Sequence, residues 1–221
     1  MTKVIVCGSR TIQDIKMLVD SGADAIGLIT EVWQDVPCNL TRAEAREFTT
    51  LIPPLIPSIL IITEENTDEI LRMVDFIRPD ILQLQGFNPA SDIKRLKNEI
   101  KAKIVKVLHV DGDKLAEGKE PVKCALTYIE AGANMILLDT YQPGKVGATG
   151  ATSNLTLARE IRDGVFPAPL VLAGGLSIGN LVNAINMVKP YAVDVFSGVV
   201  TNGYLDAQKV KQFVKKARSI R

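Results

Sequence analysis

Residues 22–28 read GADAIGL, and a similar segment returns further along the chain as residues 132–138, GANMILL. A second pair of similar segments comprises residues 78–84, RPDILQL, and residues 189–195, KPYAVDV. In each segment a Gly or Pro that ends a helix is followed at once by a strand-forming run. The four segments start roughly 55 residues apart, so one unit of strand, loop and helix takes about 28 residues. Eight such units fit the 221 residues of the chain and predict a (β/α)8 barrel, the TIM-barrel class of α/β fold.

Short apolar runs alternate with amphipathic, helical patterns along the whole chain. The runs are continuous in Ile, Val and Leu, as expected of parallel strands that are covered on both faces. They comprise residues 3–7, 24–29, 58–63, 80–84, 103–109, 134–139, 169–173 and 192–197. Eight helices are predicted, the last over residues 206–218, and no linker divides residues 1–221, which predicts a single domain. A doubly wound sheet is disfavoured because no GxGxxG motif follows the first strand.

The composition excludes several classes of protein. The chain has 26 Lys and Arg against 25 Asp and Glu, so it has no basic field for nucleic acid or an anionic membrane. Its three cysteines (Cys7, Cys38 and Cys124) and single histidine, His109, show no spacing of a disulfide framework or a zinc site. The longest apolar stretch, residues 51–62, is broken by three prolines and is too short to span a bilayer. The start of the chain does not read as a signal peptide. These features predict a cytoplasmic protein without a metal site.

Two strand ends near the end of the chain carry glycine. They are Gly174 and Gly175 after the predicted seventh strand, and Ser197 and Gly198 at the end of the eighth. Glycine lets the backbone approach a ligand closely, and barrels commonly hold a phosphate on the loops after these two strands. Tight turns alone explain either loop, but the pair predicts a phosphate site.

Cys7 and Asp139 end two other predicted strands and therefore face the carboxyl-terminal mouth of the barrel, where barrel enzymes have their active sites. The following helix and Arg10 are expected to favour the thiolate of Cys7, although a buried structural thiol is the commoner role for such a cysteine. Asp139 follows four apolar residues, an environment that raises the pKa of a carboxyl and suits a general acid, although a loop-capping role is also open.

Together these segments resemble the phosphoribosylanthranilate isomerase family over the whole chain and in the same order. The segments that carry the resemblance are KVIVCG at 3–8, SGADAIG at 21–27, LQLQG at 82–86, LD at 138–139, GATG at 147–150, LAGGL at 172–176 and VDVFSGV at 193–199.

The resemblance implies a (β/α)8 barrel that needs no cofactor. The enzyme would carry out an Amadori rearrangement of N-(5-phosphoribosyl)anthranilate in tryptophan biosynthesis. The resemblance also implies that Cys7 is the general base and Asp139 the general acid, and that the two glycine loops hold the substrate phosphate. Arg10, Gln83, Gly147 and Thr149 are expected to bind the rest of this phosphorylated sugar. The protein is expected to be a monomer or a homodimer.

The chain departs from the family pattern at the end of the site that would bind the aromatic acid. Cys38 stands where the family has an arginine that holds the anthranilate carboxylate, and a thiol cannot replace that cation. Arg10 and Arg42 are the candidate replacements. Gln85 and Ala148 also replace a family histidine and glycine. Two alternatives therefore stay open: a related isomerase for another phosphorylated amino sugar, and a non-catalytic barrel that binds a sugar phosphate.

Three further residues have chemistry that the resemblance does not use. His109 ends the predicted fifth strand and is expected to make a loop hydrogen bond rather than act in the site. Trp33 is expected to be a partly buried loop anchor, and stacking on an aromatic substrate is the open alternative. Lys106, inside the fifth strand, is expected to form an ion pair in the barrel interior rather than a Schiff base.

Overall fold

The computed structural model describes residues 1–33, 36–142, 145–146 and 154–220, and it confirms the predicted barrel. Eight parallel strands pair in chain order, and the barrel closes where β1 pairs with β8, with Lys3 opposite Ala192 and Val6 opposite Val195. The strands are β1 Lys3–Cys7, β2 Ala25–Ile29, β3 Ser58–Ile62, β4 Ile81–Leu84, β5 Lys103–Asp111, β6 Met135–Gln142, β7 Leu170–Leu172 and β8 Ala192–Val195.

Eight α-helices lie outside the barrel in the described part of the chain, as predicted. They are α1 Ile12–Asp20, α2 Arg42–Leu51, α3 Thr67–Ile77, α4 Ala90–Glu99, α5 Pro121–Ala131, α6 Leu155–Val165, α7 Leu181–Val188 and α8 Ala207–Ser219. Local chemistry begins several of them. Thr11 and Thr41 each form a capping box with the acidic residue three positions on, and Asp206 caps α8.

The repeated segments that decide the fold share one backbone feature. Their first residues, Gly22, Arg78, Gly132 and Lys189, all adopt positive φ, between +51° and +114°. This left-handed conformation ends a helix and turns the chain back toward the barrel, where a strand begins within a few residues. The sequence repeat therefore reflects a repeated turn geometry.

The strand pleat divides the core into two layers. Side chains such as Ile5, Ile59 and Val105 point into the barrel interior, whereas a larger apolar layer lies between the strands and the helices. Lys106 belongs to the outer layer, because its neighbours Val105 and Val107 point inward. Its Nζ donates to the carbonyl oxygen of Gly86 at 2.5 Å and lies 5.4 Å from the centre of the Tyr128 ring. The prediction of an ion pair in the barrel interior was wrong.

Two strands are longer than the sequence predicts. β5 and β6 continue past His109 and Asp139, because each folds back into a short antiparallel hairpin, with Lys114–Leu115 and Lys145–Val146 respectively. The eighth strand is shorter than predicted. It stops at Val195. Ser197, which was predicted to end the strand, instead begins a single 3-10 turn, Ser197–Val199.

Candidate active site

Five polar side chains converge inside the barrel near the carboxyl ends of the strands. Cys7 ends β1, Gln85 follows β4, and His109 and Asp139 face each other across the β5–β6 pair. Asp194 reaches the same space from β8. All of these except Asp194 are less than 9 % exposed, and Asp194 is only partly exposed. Polar groups in so dry an environment need partners, and each of them has at least one.

Cys7 is hydrogen-bonded to a carboxylate from the opposite end of the sequence. Its Sγ donates to Oδ1 of Asp194 at 2.9 Å. Gly27, opposite Cys7 on β2, leaves room for the sulfur, since a Cβ at that position would overlap Sγ. Burial, followed by the neighbouring Asp194, raises the pKa of Cys7 well above its usual value. The expectation that Arg10 and the following helix favour a thiolate was therefore wrong for the resting protein, in which Cys7 is a neutral thiol.

Asp194, the hydrogen-bond partner of Cys7, is itself a group of shifted pKa. Burial raises the pKa of Asp194 to about 7, and the nearby charge of Asp139 adds to this, while the hydrogen bond from Cys7 lowers it. Asp194 thus titrates close to neutrality and can accept the proton that Cys7 gives up. Sequence reasoning did not single it out. The signal that would have revealed it is a carboxylate in the middle of the apolar run Ala-Val-Asp-Val of a buried strand.

Asp139 is held by amide and backbone donors. Nε2 of Gln85 donates to Oδ2 at 3.0 Å, and the backbone N–H of Thr140 donates to Oδ1 at 2.8 Å. Burial raises the pKa of Asp139 to about 6, although both hydrogen bonds lower it. The raised pKa agrees with the expectation from the sequence and suits a general acid, a role that stays a prediction.

Gln83 lies one layer below Gln85, further from the mouth. Its Nε2 donates to Oε1 of Gln85 at 3.0 Å, so two amides in series lead to the carboxyl of Asp139. Direct substrate binding by Gln83 stays a prediction, since Gln85 lies between it and Asp139.

His109 is a neutral side chain in the wall of the site. Its Nε2 lies 2.7 Å from the backbone oxygen of Gln85, and its ring contacts Phe87 and Tyr141 at centroid distances of 5.1 and 6.2 Å. Burial lowers the pKa of His109 to about 4. It makes the backbone hydrogen bond that was expected, but from within β5 rather than from a loop.

The two glycine loops predicted to bind phosphate lie against each other. Gly174 and Gly175 both have positive φ, and Gly198 packs so closely on Leu176 that a Cβ there would overlap the Leu176 carbonyl oxygen. Asn180 fixes the first loop, since its side chain accepts from the N–H of Ser177 and donates to the oxygen of Gly175. The structure thus brings Gly174, Gly175, Ser197 and Gly198 together; their phosphate role stays a prediction.

Arg10 and Arg42 differ in what they contact. Arg42 forms ion pairs with Glu31 at 2.7 Å and with Glu69 at 2.6 Å. Arg10 stacks on the Tyr204 ring at 4.3 Å and donates weakly to the carbonyl of Gly203, and it has no ion pair within the described residues.

Cys38 lies within electrostatic reach of Arg10 and of Cys7. It is buried, and burial raises its pKa to about 11, while the charge of Arg10 lowers it. Cys38 in turn contributes to the raised pKa of Cys7. The position where the resemblance leads us to expect an arginine is therefore coupled electrostatically to both Arg10 and Cys7.

Gly147 and Thr149 fall outside the described residues. Trp33 is 60 % exposed, so the expected loop anchor was wrong. Across residues 1–33, 36–142, 145–146 and 154–220, no three His, Cys, Asp or Glu side chains are grouped so as to hold a metal ion. In the same residues no helix has the length and hydropathy needed to cross a membrane.

A closed parallel barrel with a carboxyl, a thiol and paired glycine loops at the carboxyl ends of its strands has the arrangement of a (β/α)8-barrel enzyme. The sequence profile of N-(5'-phosphoribosyl)anthranilate (PRA) isomerase matches residues 4–216. The chain therefore belongs to the phosphoribosylanthranilate isomerase family.

Relatives and solved structures agree with this membership. The chain is 36% identical over 220 residues to the N-(5'-phosphoribosyl)anthranilate isomerase of Methanocella arvoryzae, covering 99% of each chain. It is 32% identical over 219 residues to that of Methanothrix thermoacetophila, again covering 99% of each. The phosphoribosyl anthranilate isomerase structure from Thermotoga maritima superimposes with a TM-score of 0.83 at 29% identity, covering 100% of both chains. A phosphoribosyl anthranilate isomerase in complex with reduced 1-(o-carboxyphenylamino)-1-deoxyribulose 5-phosphate superimposes with a TM-score of 0.80 at 28% identity, with the same coverage.

Proposed function

We propose that this protein converts N-(5-phosphoribosyl)anthranilate into 1-(2-carboxyphenylamino)-1-deoxyribulose 5-phosphate, a step of tryptophan biosynthesis. The observation that carries the proposal is the pairing of a carboxyl of raised pKa, Asp139, with the Cys7–Asp194 pair in one buried site. A barrel that only bound a sugar phosphate would gain nothing from three buried ionisable groups, because their burial costs stability.

The first proton transfer is assigned to Asp139. Its carboxyl proton goes to the ring oxygen of the ribose, the bond from that oxygen to C1 breaks, and the nitrogen lone pair forms a C1=N double bond. The positive imine then acidifies the hydrogen on C2. The pKa of about 6 leaves Asp139 able both to give this proton and to regain one near neutral pH.

The second proton transfer is assigned to Cys7. Its thiol proton moves to Asp194 across the 2.9 Å hydrogen bond, and the thiolate takes the C2 hydrogen. The C2–H electron pair forms the C1=C2 bond of an enolamine, and the C1=N pair returns to nitrogen. A final shift of the C2 hydroxyl proton to C1 gives the ketone, so the sum is an isomerisation without a cofactor.

The substrate carboxylate is assigned to Arg10. Cys38 carries no charge to offer, and Arg42 is already neutralised by Glu31 and Glu69. Arg10 lies near Cys38 and keeps a guanidinium without a carboxylate partner in the described structure, stacked on Tyr204. A charge-assisted hydrogen bond to a carboxylate is the contact that such a group makes best.

The substrate phosphate is assigned to the loops that carry Gly174, Gly175, Ser197 and Gly198. The positive φ values of Gly174 and Gly175 and the close packing of Gly198 on Leu176 support this assignment, because glycine lets a ligand approach the backbone closely. The phosphate takes no part in bond breaking and contributes binding energy only.

A second candidate is an isomerase for a phosphorylated amino sugar without an aromatic carboxylate. The observation that favours it is the buried, uncharged Cys38 at the position where the family has its arginine. Under this alternative the true substrate has no carboxylate for Arg10 to bind, so replacing Arg10 would not weaken substrate binding through that contact.

The proposal is tested by incubating the purified protein with N-(5-phosphoribosyl)anthranilate and following the loss of anthranilate fluorescence. Turnover by the natural chain and its loss in Asp139→Asn are expected, together with growth of a tryptophan auxotroph that lacks this isomerase. Cys124→Ala is the matched control, because Cys124 lies in α5, outside the barrel. No turnover and no growth with a folded protein would refute the proposal and favour the second candidate.

We also propose a cytoplasmic protein that forms one domain over residues 1–221 and is a monomer or a homodimer. All three cysteines are free and buried, which suits a reducing compartment. One structural neighbour is described as mutually generated monomers of dimeric phosphoribosylanthranilate isomerase from Thermotoga maritima, so both states deserve a test. Light scattering after size exclusion would measure which state this chain adopts.

A further inference from the structure

Lys106 is a buried cation in an apolar layer of the structure. It is 1 % exposed and lies between the barrel and the helices. Its Nζ donates to the backbone oxygen of Gly86 at 2.5 Å, and within the described part of the chain it forms no ion pair. Burial lowers the pKa of Lys106 to about 8, so the amine is protonated at neutral pH. An unpaired ammonium in such a layer costs free energy, which an apolar side chain of similar length would avoid.

The groups around Lys106 act on its charge from a distance. Those within electrostatic reach are Glu65 in the loop after β3, Glu117 and Lys119 before α5, and Cys124 on α5. The two glutamates attract the ammonium from beyond ion-pair distance, and Lys119 repels it. The centre of the Tyr128 ring, also on α5, lies 5.4 Å from Nζ. Since no carboxylate is a direct partner, the short hydrogen bond to the Gly86 oxygen is the contact that orients the amine.

The strand β5 holds the loop after β4 from both faces of the sheet. Lys106 points outward, and His109, three positions on, points into the site. Nε2 of His109 lies 2.7 Å from the oxygen of Gln85, and a carbonyl oxygen can only accept, so Nε2 carries the hydrogen. Lys106 holds the next peptide oxygen, that of Gly86. Its charge and burial together lower the pKa of His109, which keeps that ring neutral. Two successive carbonyl groups are therefore fixed from opposite sides by one strand.

The segment that β5 holds carries the amide that contacts Asp139. Nε2 of Gln85 donates to Oδ2 of Asp139 at 3.0 Å, and the direction of this side chain follows from the backbone of residues 85 and 86. On its other side the segment is close to the end of β3. A Cβ at Gly86 would lie 2.8 Å from the backbone oxygen of Thr63, so the loop has little room to move that way. Movement away from β5 is what the Lys106 bond opposes.

We infer that Lys106 is a positioning residue for Asp139: by holding the Gly86 oxygen on the outer face of β5, it keeps the Gln85 amide on the Asp139 carboxyl. Without this bond the Gln85 contact weakens. A hydrogen bond to the ionised carboxyl favours that form, so its weakening makes Asp139 hold its proton more tightly. The catalytic consequence rests on the proposed isomerase function, whereas the positioning can be measured in the resting protein.

The test is a carbon-13 NMR titration of the Asp139 carboxyl in the full chain, with Asp139→Asn to assign the signal. Lys106→Met removes the donor and keeps the length of the side chain. It is expected to raise the pKa of Asp139 from about 6 by roughly 0.5, and to move the pH maximum of kcat/KM upward by a similar amount. Lys103→Met is the matched control, because it removes the same charge from the exposed start of β5 and should leave the titration unchanged. Lys106→Leu is the second choice if Lys106→Met does not fold.

A double variant separates positioning from a direct effect of the charge. Gln85→Leu removes the amide through which Lys106 is inferred to act, so adding Lys106→Met to it should not move the Asp139 titration further. A charge that acted through space would still raise the pKa in that background, and this result would overturn the inference. An unchanged titration in Lys106→Met alone would overturn it as well. The expected shifts in a protein that does not turn over N-(5-phosphoribosyl)anthranilate would support the positioning and refute only the proposed function.

Discussion

The two ends of the barrel interior differ in the chemistry of their side chains. The carboxyl-terminal end places Cys7, Asp139 and Asp194 together in a buried space, and burial raises the pKa of all three. The amino-terminal end is lined by aliphatic side chains with one amide, Gln83, and encloses a cavity. Burying ionisable groups costs stability, and leaving a void forgoes packing energy. Neither end is therefore optimised for stability. The proposed proton transfers involve the carboxyl-terminal end, where the buried ionisable groups lie.

The largest effect is expected from the ionisable end. Cys7→Ala and Asp139→Asn should each lower kcat by about 10²–10⁴-fold, because each removes a group that moves a proton in the proposed reaction. Affinity for a product analogue should stay within about tenfold, since neither group binds the phosphate or the aromatic ring. Steady-state kinetics and analogue titration measure the two quantities, and Cys124→Ala should leave both unchanged. Near-normal kcat in either variant would show that the assigned role is wrong.

The next effect concerns the arginine at the rim of the same end. Arg10→Gln should raise KM for N-(5-phosphoribosyl)anthranilate by roughly 10- to 150-fold, the equivalent of one charge-assisted hydrogen bond. Arg42→Gln is the matched control, because it removes the same charge from a group that is already paired with Glu31 and Glu69. Placing Cys38→Arg in the Arg10→Gln background should recover part of the loss. Equal KM values for the two glutamine variants would remove Arg10 from the site.

A smaller effect is expected in the pH profile. Asp139 must be protonated to act as an acid and Asp194 must be ionised to accept a proton, so kcat/KM should be bell-shaped in pH, with its maximum between about 6 and 7. The Gln85 hydrogen bond lowers the pKa of Asp139, and Gln85→Leu should therefore move this maximum to higher pH, by about one unit or less. Gln85 acts here as a positioning residue, and a purely structural role would lower the rate without moving the profile. Gln13→Leu, on the exposed face of α1, serves as the control.

The smallest effect is on thermal stability, and it separates the two ends directly. Asp194 has a folded pKa of about 7, above its ordinary value of 3.8, so the folded protein keeps a proton that the unfolded chain releases. Its contribution to stability is complete below about pH 4 and is lost as pH rises through 7. Asp194→Asn does not titrate, and its Tm should exceed that of the natural chain by about 3–6 °C at pH 8 but not at pH 4. Ile59→Val at the apolar end should instead lower Tm by the same amount at both pH values. A pH-independent effect of Asp194→Asn would contradict the raised pKa.

Local sequence signals predicted the frame of the molecule. The helix stops at Gly22, Arg78, Gly132 and Lys189 are matters of backbone conformation and turn chemistry, which act within a few residues. Continuous apolar runs gave the strands, and their order gave the barrel. Cys7 and Asp139 could be selected because a strand end in a barrel is by that fact near the site.

Strand pairing determined the features that those local signals do not specify. The strand that contains Lys106 is apolar on both faces, so its pattern does not tell which residues point inward; the register with β4 and β6 does. The extension of β5 and β6 past His109 and Asp139 likewise depends on hairpin partners that periodicity does not specify.

The amino-acid sequence by itself determined the class of fold, the order of its units and two of the candidate catalytic side chains. Only the tertiary structure decided that the Cys7 thiol is hydrogen-bonded to Asp194, that Arg42 is paired with Glu31 and Glu69 while Arg10 has no ion pair among the described residues, and that a cavity lies beneath Gln83. The physical reason is the separation along the chain of the groups that interact. Backbone turns and strand propensity depend on neighbours in the chain, whereas protonation, ion pairing and empty volume depend on groups brought together only when the barrel closes, such as Cys7 and Asp194, which are 187 residues apart.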